Sequence, residues 1–598
     1  MMAPYGAHCA GGVTSFRVRA PKASAVWLCL FEAGDEERVA MQRNGDDWTA
    51  TLPVERPGTA YGYRAEGEWS PENGLWFDPA KLLVEPYAVT LDRRFVQHPA
   101  LAQFGVDTAH LVPRALVPGP NPPLPIVPPM FDRGGLIYEI NVRGFTMLHP
   151  DVPPALRGTI AALAEPVVIA HLKTLHVSAV ELMPITAWID ERHLGPLGLS
   201  NAWGYNPVVL MALDPGLCPG GVAELRRTVA ALHAAGIGVI LDLVFNHTGE
   251  SDIHGGVLSL RGLDNAAYAH APDGSLINDT GCGNTLDFAN PAVRALTLAS
   301  LRHFVGHCGV DGFRFDLAPV MARGPGFASD APLFAEIAAD PLLADRIMIA
   351  EPWDIGPGGY QLGNFPDNWL EWNDRFRDDV RRFWRGDGLI ADLVTRIAGS
   401  SDIFNGECRS VNFIAAHDGF TVADTVAYAD KHNHANGEDN RDGHSDNFSW
   451  NGGSEGPSDD PELNARRGAD LRALLGTLFA STGTIMLTAG DEFGRTQRGN
   501  NNAYAQDNAV SWIDWAQRDR DLEAYVASLS RQRCNRRAKT RDFPDAGTWQ
   551  RPDGAAMTVA DWQNAATNTV TYIVNTAAGG LKLRIDRSAR TVSWEVTS

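Results

Sequence analysis

A chain of 598 residues with 44% hydrophobic and 21% charged side chains has the make-up of a soluble globular protein, which excludes disordered, collagen-like and coiled-coil readings. At ~150 residues per domain the length predicts about four domains, or fewer if a large α/β barrel absorbs several shares. The net charge of −21 repels phosphate backbones and anionic lipid, so neither nucleic acid nor a membrane surface is an expected partner.

Glycine (59) and proline (38) together make up about 16% of the chain, above the average of about 12%, which points to many ordered loops over a scaffold. Tryptophans (16) outnumber tyrosines (12), an unusual balance. The cysteines, Cys9, Cys29, Cys218, Cys282, Cys308, Cys408 and Cys534, are scattered and form no CxxC pair, which fits a reducing compartment. The N-terminal MMAPYGAHCAGG has no basic region followed by an apolar core, and nowhere do 18 apolar residues run together. A cytoplasmic protein without a membrane span is expected.

From Gly11 to about Val117 short alternating strands (Thr14–Val18, Ala25–Leu30, Trp48–Leu52, Tyr61–Glu66) are separated by turn residues such as Asn44-Gly45-Asp46, the pattern of a small β-sandwich. Val117 to Met130 carries seven prolines and makes a semi-rigid connector. Beyond it, short apolar runs alternate with amphipathic stretches: LIYEI (136–140), AVELMP (179–184), GVILDLVFN (238–246), GFRFDLA (312–318), RIMIAE (346–351), SVNFIAAH (410–417) and TIMLTAG (484–490). Helical periods lie between them, clearest at Pro291–Gly309 and Arg466–Thr482. Continuous apolar strands separated by helices indicate parallel βαβ units, and their number suits a (β/α)₈ barrel with long insertions. A doubly wound sheet is the lesser alternative, since no glycine-rich phosphate fingerprint opens the first unit. From about Asp521 a helix and then TVTYIV, LKLRI and TVSWEV read as a C-terminal antiparallel β-domain. The expected division is 1–117, 118–520 and 521–598.

Several apolar strands end in an acid or a histidine: Asp242 and His247 in LDLVFNH, Arg314 and Asp316 in GFRFD, Glu351 closing RIMIAE, and His417-Asp418 closing NFIAAHD. Active sites of barrels lie at the carboxyl ends of the strands. One such acid is ordinarily a helix N-cap, but recurrence on four strands is poorly explained by capping. Arg314 and Asp316, at i and i+2 of one strand, point the same way, and a guanidinium beside a carboxylate keeps it ionised and nucleophilic. Glu351 ends the next strand between Ala350 and Pro352-Trp353, apolar surroundings that suit a general acid. Strands about 4.8 Å apart bring such a pair to the ~5–5.5 Å of a retaining glycosidase. A metal site is the rival reading for acids and histidines at strand ends, but no HxH or HExxH spacing occurs, and neither a metal nor a cofactor is expected. A Schiff base is weaker still, because only six basic residues are lysines and none ends a predicted strand.

DLVFNH (242–247), GFRFD (312–316), the AEPW around Glu351 and FIAAHD (413–418) resemble, in order and spacing, the four signature segments of the α-amylase superfamily, glycoside hydrolases on a (β/α)₈ barrel acting on α-glucans. The resemblance implies Asp316 as nucleophile, Glu351 as acid/base and Asp418 as the third carboxylate, which binds sugar hydroxyls. It also implies that Arg314, His247, His417 and Tyr205 of WGYNP line the subsite at the cleavage point, with Asp242 bracing them. YEINVRGFTMLHP (138–150), KHNHANGEDNRDGHSDNFSWN (431–451) and AGDEFGRTQRGNNNAYAQDNAVSWIDW (489–515) are similar to the bacterial glycogen debranching and isoamylase group, as is the β-domain followed by FDPAKLLVEPYA (77–88). Two departures are His434, where that group has Glu, and Phe493-Gly494-Arg495, which replaces a histidine-rich stretch.

The family implies hydrolysis of α-1,6 branch linkages in glycogen or a limit dextrin, so the expected partner is an α-glucan. The insertion from Ala423 to Pro461 is either a cleft wall or a solvated loop. Trp203 and Trp353, each next to a motif residue, are the tryptophans expected to meet glucose, although core packing is the commoner role of such rings. The N-terminal domain either binds glucan or only packs, and packing is the expectation. The rival activities are an α-1,4 hydrolase or glucan transferase on the same barrel, and, in another class, a non-catalytic glucan-binding protein.

Overall fold

A computed structural model describes residues 4–324, 326–536, 540–543, 547–576 and 579–597; Lys539 and the first three residues lie outside them. The N-terminal module is two four-stranded antiparallel sheets. Strands read from alternation are found as Val13–Arg19, Ala25–Glu32, Asp47–Leu52 and Ala60–Glu66. Every second residue of Val13–Arg19 is buried, so Phe16 and Val18 meet Val26, Leu28, Trp48 and Tyr61 between the sheets. The same apolar cluster takes in Ile189, Val208, Val209 and Leu258 from loops of the following domain, so the module is seated on those loops. The FDPAKLLVEPYA segment makes the joint: Val84 N–H donates to the Leu258 carbonyl at 2.8 Å, and buried Lys81 donates to the carbonyls of Ala100 and Val106 at 2.7 and 3.1 Å.

Eight parallel strands close into a barrel: β1 (Leu136–Ile140), β2 (Ala179–Leu182), β3 (Gly238–Leu243), β4 (Gly312–Phe315), β5 (Ile347–Ala350), β6 (Leu370–Asn373), β7 (Ser410–Asn412) and β8 (Thr484–Thr488). Leu136 pairs with Ile485 to complete the ring. Seven of the eight are the apolar runs seen in the sequence. The missing one, LEWN, is four residues long and carries a glutamate and an asparagine, so it has no apolar run to find.

The helices obey ordinary end chemistry. Pro291–His303 starts with Asn290 accepting from Ala292 N–H and a proline in the first turn, and buries Val293, Leu296 and Leu301. Asp460 caps Pro461–Ala480 in the same way. Inside the ring, Ile137, Ile240, Ile349, Val411 and Met486 form an apolar cluster. One pleat further toward the carboxyl ends the interior becomes polar, with Glu139, Glu181, Asp242, Arg314 and Thr488 all buried. The C-terminal sheet has four antiparallel strands, Thr548–Gln550, Thr569–Thr576, Gly579–Asp586 and Thr591–Thr597. Among the described residues no helix is long and apolar enough to cross a membrane.

Helix Arg520–Cys534 packs Leu522, Val526 and Leu529 into the apolar layer around the barrel. It is tied there by buried His171, whose Nε2 lies 2.9 Å from Glu492 and Nδ1 3.4 Å from Glu523. Burial alone would discharge the ring, but these two carboxylates outweigh it and raise it to about 9. A group whose folded value is raised stabilises fully below its unfolded value, about 6.5 for histidine, and loses that contribution as pH rises through the folded value. His171→Gln is therefore expected to cost on the order of 3 kcal/mol at pH 6, with the gap to the unsubstituted protein closing between pH 6.5 and 9.5; thermal denaturation at the two ends of that range measures it.

Candidate active site

The carboxyl ends of β3, β4, β5 and β7 bring the sequence motifs together around one guanidinium. Arg314 is wholly buried, and its Nη1 lies 3.0 and 3.1 Å from the two oxygens of Asp242 and 3.0 Å from Oδ1 of Asp316. Its Nη2 lies 3.1 Å from Oε2 of Glu351. Registry explains the first contact: Asp242 and Arg314 are paired residues of neighbouring strands, and both face the interior. Asp316 has a second donor, the amide of Asn246, at 2.7 Å from Oδ2. Glu351 Oε2 also accepts from the backbone N–H of Leu317 at 2.7 Å. Leu317 holds a left-handed backbone, φ 43°, which costs a non-glycine residue energy and marks a spot fixed by its surroundings.

The two carboxyl groups on this arginine differ in environment. Burial pushes Glu351 up to about 8; Arg314 opposes this, and the negative charges of Asp316 and Asp418 add to it. A carboxyl group that keeps its proton at neutral pH therefore stands beside Asp316, which has an anion's partners. Asp242 is raised to about 6 by burial, with Arg314 resisting. For Asp418 burial is outweighed by His444, His417 and Arg377, which hold it well below the usual carboxylate range.

Tyr205 and His417 form the floor beside these acids. Their rings stack at 4.7 Å with planes 24° apart. Tyr205 donates to Asp242 Oδ2 at 2.5 Å, and His417 Nδ1 lies 2.7 Å from Glu139. Burial favours the neutral imidazole of His417, but the charge and hydrogen bond of Glu139 raise it to about 9. His247 is buried beneath, with Nδ1 on the Asn246 amide oxygen and Nε2 3.0 Å from the Tyr205 carbonyl, so its ring contacts those two residues rather than the cleft. Gly204 permits the turn that delivers Tyr205: its φ is +90°, and a Cβ there would come within 2.8 Å of the Pro184 carbonyl oxygen.

A polar cleft of about 690 Å³ opens beside Trp203 and Tyr205. Trp203 is half-buried and sets its ring edge-on to His417 at 5.0 Å. Trp353 is half-buried against the interior apolar cluster. Trp369 and Trp372 are core residues, and Trp372 lies under Arg314, 4.3 Å from the guanidinium carbon to the ring. The Ala423–Pro461 insertion proves to be a cleft wall. Its Glu438 accepts from Tyr504 at 2.6 Å, and its Asn433 exchanges hydrogen bonds with Asn501 at 2.8 and 2.9 Å. His434 is exposed, and Phe493 is buried beside His171.

Sequence reasoning did not single out Asn246, Glu139, Glu181, His444 or Tyr504. Asn246 lay in view inside LDLVFNH. Glu139 and Glu181 were visible as lone acids within apolar strands, which is itself a signal. His444 and Tyr504 stand on long loops, where sequence gives no direction. Among the described residues no group of three or more His, Cys, Asp and Glu side chains could hold a metal ion.

The family model described as carbohydrate-binding module 48 (isoamylase N-terminal domain) matches residues 4–88. The chain is 46% identical over 581 residues to a glycogen debranching enzyme of Yersinia enterocolitica, covering 92% of this chain and 86% of that protein. It is 45% identical over 610 residues to one of Serratia proteamaculans, covering 98% and 91%. Among solved structures, a pullulanase of Anoxybacillus sp. LM18-11 complexed with maltotetraose has the same fold, with a TM-score of 0.70, 23% identity and coverage of 98% of this chain and 81% of that one. Fold and relatives define a glycoside hydrolase of the α-amylase superfamily. The chain belongs to the family of the glycogen debranching enzymes.

Arg314 cannot be exchanged for a point charge, because a lysine ammonium cannot reach three carboxylates from two fixed nitrogens. Arg314→Lys is expected to lower kcat/KM by about 10²–10³-fold, as for the loss of one preorganised donor. Arg314→Met, which leaves buried anions unpaired, should also cost about 3–5 kcal/mol of stability. Initial rates on a branched dextrin and chemical denaturation check the two.

Proposed function

We propose that the chain hydrolyses α-1,6 branch linkages of glycogen or branched dextrins with retention, through a covalent glucosyl-Asp316 intermediate. The observation that carries this reading is the pair on Arg314: Asp316, aimed by Arg314 and Asn246, and Glu351, which keeps its proton against the same guanidinium. Asp316 attacks the anomeric carbon as Glu351 protonates the departing oxygen. Glu351 Oε2 accepts from Leu317 N–H, so the proton is carried on Oε1. Glu351, now ionised, takes a proton from water, which displaces Asp316 and restores both groups. Asp418, strongly anionic, suits the hydroxyls of the sugar bent toward its transition state, and the Tyr205–His417 stack gives that sugar a flat aromatic seat.

The branch-linkage assignment is supported by the relatives' name and by a cleft lined by loops at 191–206, 249–283, 438–442 and 502–504. The seating of the N-terminal module on barrel loops supports a packing role for it. The free cysteines support a reducing, cytoplasmic setting.

Incubation with glycogen should release short linear chains and deepen the iodine colour, with linear amylose untouched; shortening of amylose would overturn the linkage assignment. Asp316→Asn should lower kcat on the order of 10⁴-fold while the protein stays folded. The rate should fall on the basic side as Glu351 loses its proton near pH 8, a limb that a pH profile of kcat/KM measures.

A further inference from the structure

Asp418 differs from the other acids of the site. Arg314 reaches Asp242, Asp316 and Glu351, whereas Asp418 takes its direct side-chain contact from His444, with Nε2 3.3 Å from Oδ2. Asp418 ends the β7 segment and His444 stands 26 residues on, in the insertion that walls the cleft. The other titratable and charged groups facing Asp418 are His417 beside it in the chain, Arg377 and Arg381 from helix Asp374–Arg385, and Glu351 from the end of β5; Arg381 is taken up by the carbonyls of Ile414 and Asn447. His417 is committed to Glu139, and Arg377 to Asp378. His444 is thus the group whose N–H can fix the orientation of the Asp418 carboxylate.

The insertion does not hold His444 there by chance of a flexible loop. The His444 carbonyl accepts from Asn501 Nδ2 at 2.8 Å, and the same Nδ2 donates to Asn447 Oδ1 at 2.8 Å. Asn501 is itself locked to Asn433, and its carbonyl receives Gly419 N–H at 2.9 Å, one residue past Asp418. One asparagine on the segment after β8 therefore ties together the backbone at His444 and the backbone at Asp418. The imidazole remains more than half exposed at 54%, and the carboxylate keeps 27%, so the pair is open to solvent.

We propose that His444 is a positioning residue for the hydrolysis proposed above: its Nε2–H holds one oxygen of Asp418 so that the other is presented to the hydroxyls of the sugar at the cleavage point. The inference rests on that reading for the role of Asp418. It gives the insertion a part in the chemistry as well as in the shape of the cleft.

The test compares His444→Ala and His444→Gln with the unsubstituted enzyme on an aryl α-maltoside, whose turnover does not depend on the α-1,6 assignment; only loss of branch cleavage by the unsubstituted enzyme bears on that assignment. A hydrogen bond to a charged group sets the scale of the effect, so His444→Ala should lower kcat/KM about 10-fold, mainly in kcat. His444→Gln, which keeps an N–H donor, should recover to within about 3-fold. Melting temperatures should be unchanged, since the side chain is exposed. The proposal is overturned if His444→Ala keeps the full rate, if His444→Gln is as slow as His444→Ala, or if the loss of rate follows a loss of thermal stability.

Discussion

The site depends on one buried cation. Arg314 sits inside a ring of eight strands, and its two terminal nitrogens meet three carboxylates. An isolated buried charge is prohibitively costly, so the guanidinium and its anions exist only as a set. Trp372 supports it from below with the face of an indole, and the apolar layer of Ile137, Ile240, Ile349 and Met486 seals the barrel underneath. That dry floor also makes the acids unequal. Where burial and neighbouring negative charge prevail, as at Glu351, the proton stays.

Around this fixed centre the structure is assembled from loops that hold one another. The WGYNP turn brings Tyr205 over Asp242, and the insertion after β7 and the segment after β8 are joined by asparagine amides that donate and accept at once. The N-terminal module packs on the loops after β2 and β3 through a shared apolar core. Most of the tryptophan surplus serves packing; of the two expected to meet glucose, Trp203 borders the cleft and Trp353 leans on the barrel interior.

Much of the fold could be read in the sequence because its signals are local. Alternation in Val13–Arg19, the apolar runs of β1 and β3, and the caps of the long helices are properties of adjacent residues. The sixth barrel strand escaped because LEWN places Trp372 inward and meets its polar neighbours' needs through contacts far along the chain, such as Arg409 on Glu371 and Ser400 and Ser410 on Asn373. Motif residues at strand ends were legible for the same local reason. Their supports were not: Glu139 is 278 residues from His417, and His444 reaches Asp418 through a long loop.

By itself the sequence determined the order of the units, seven of the eight barrel strands, and the acids that face the barrel mouth, since pleat and helix period act over a few residues. Only the tertiary structure decided which partners hold each acid, that His247 hydrogen-bonds to Asn246 and the Tyr205 carbonyl, and that the long insertion is a wall of the cleft. Those properties arise from burial and from distances of about 3 Å between groups far apart in the chain, and electrostatics in a dry interior depends on such distances and on nothing that a string of residues records.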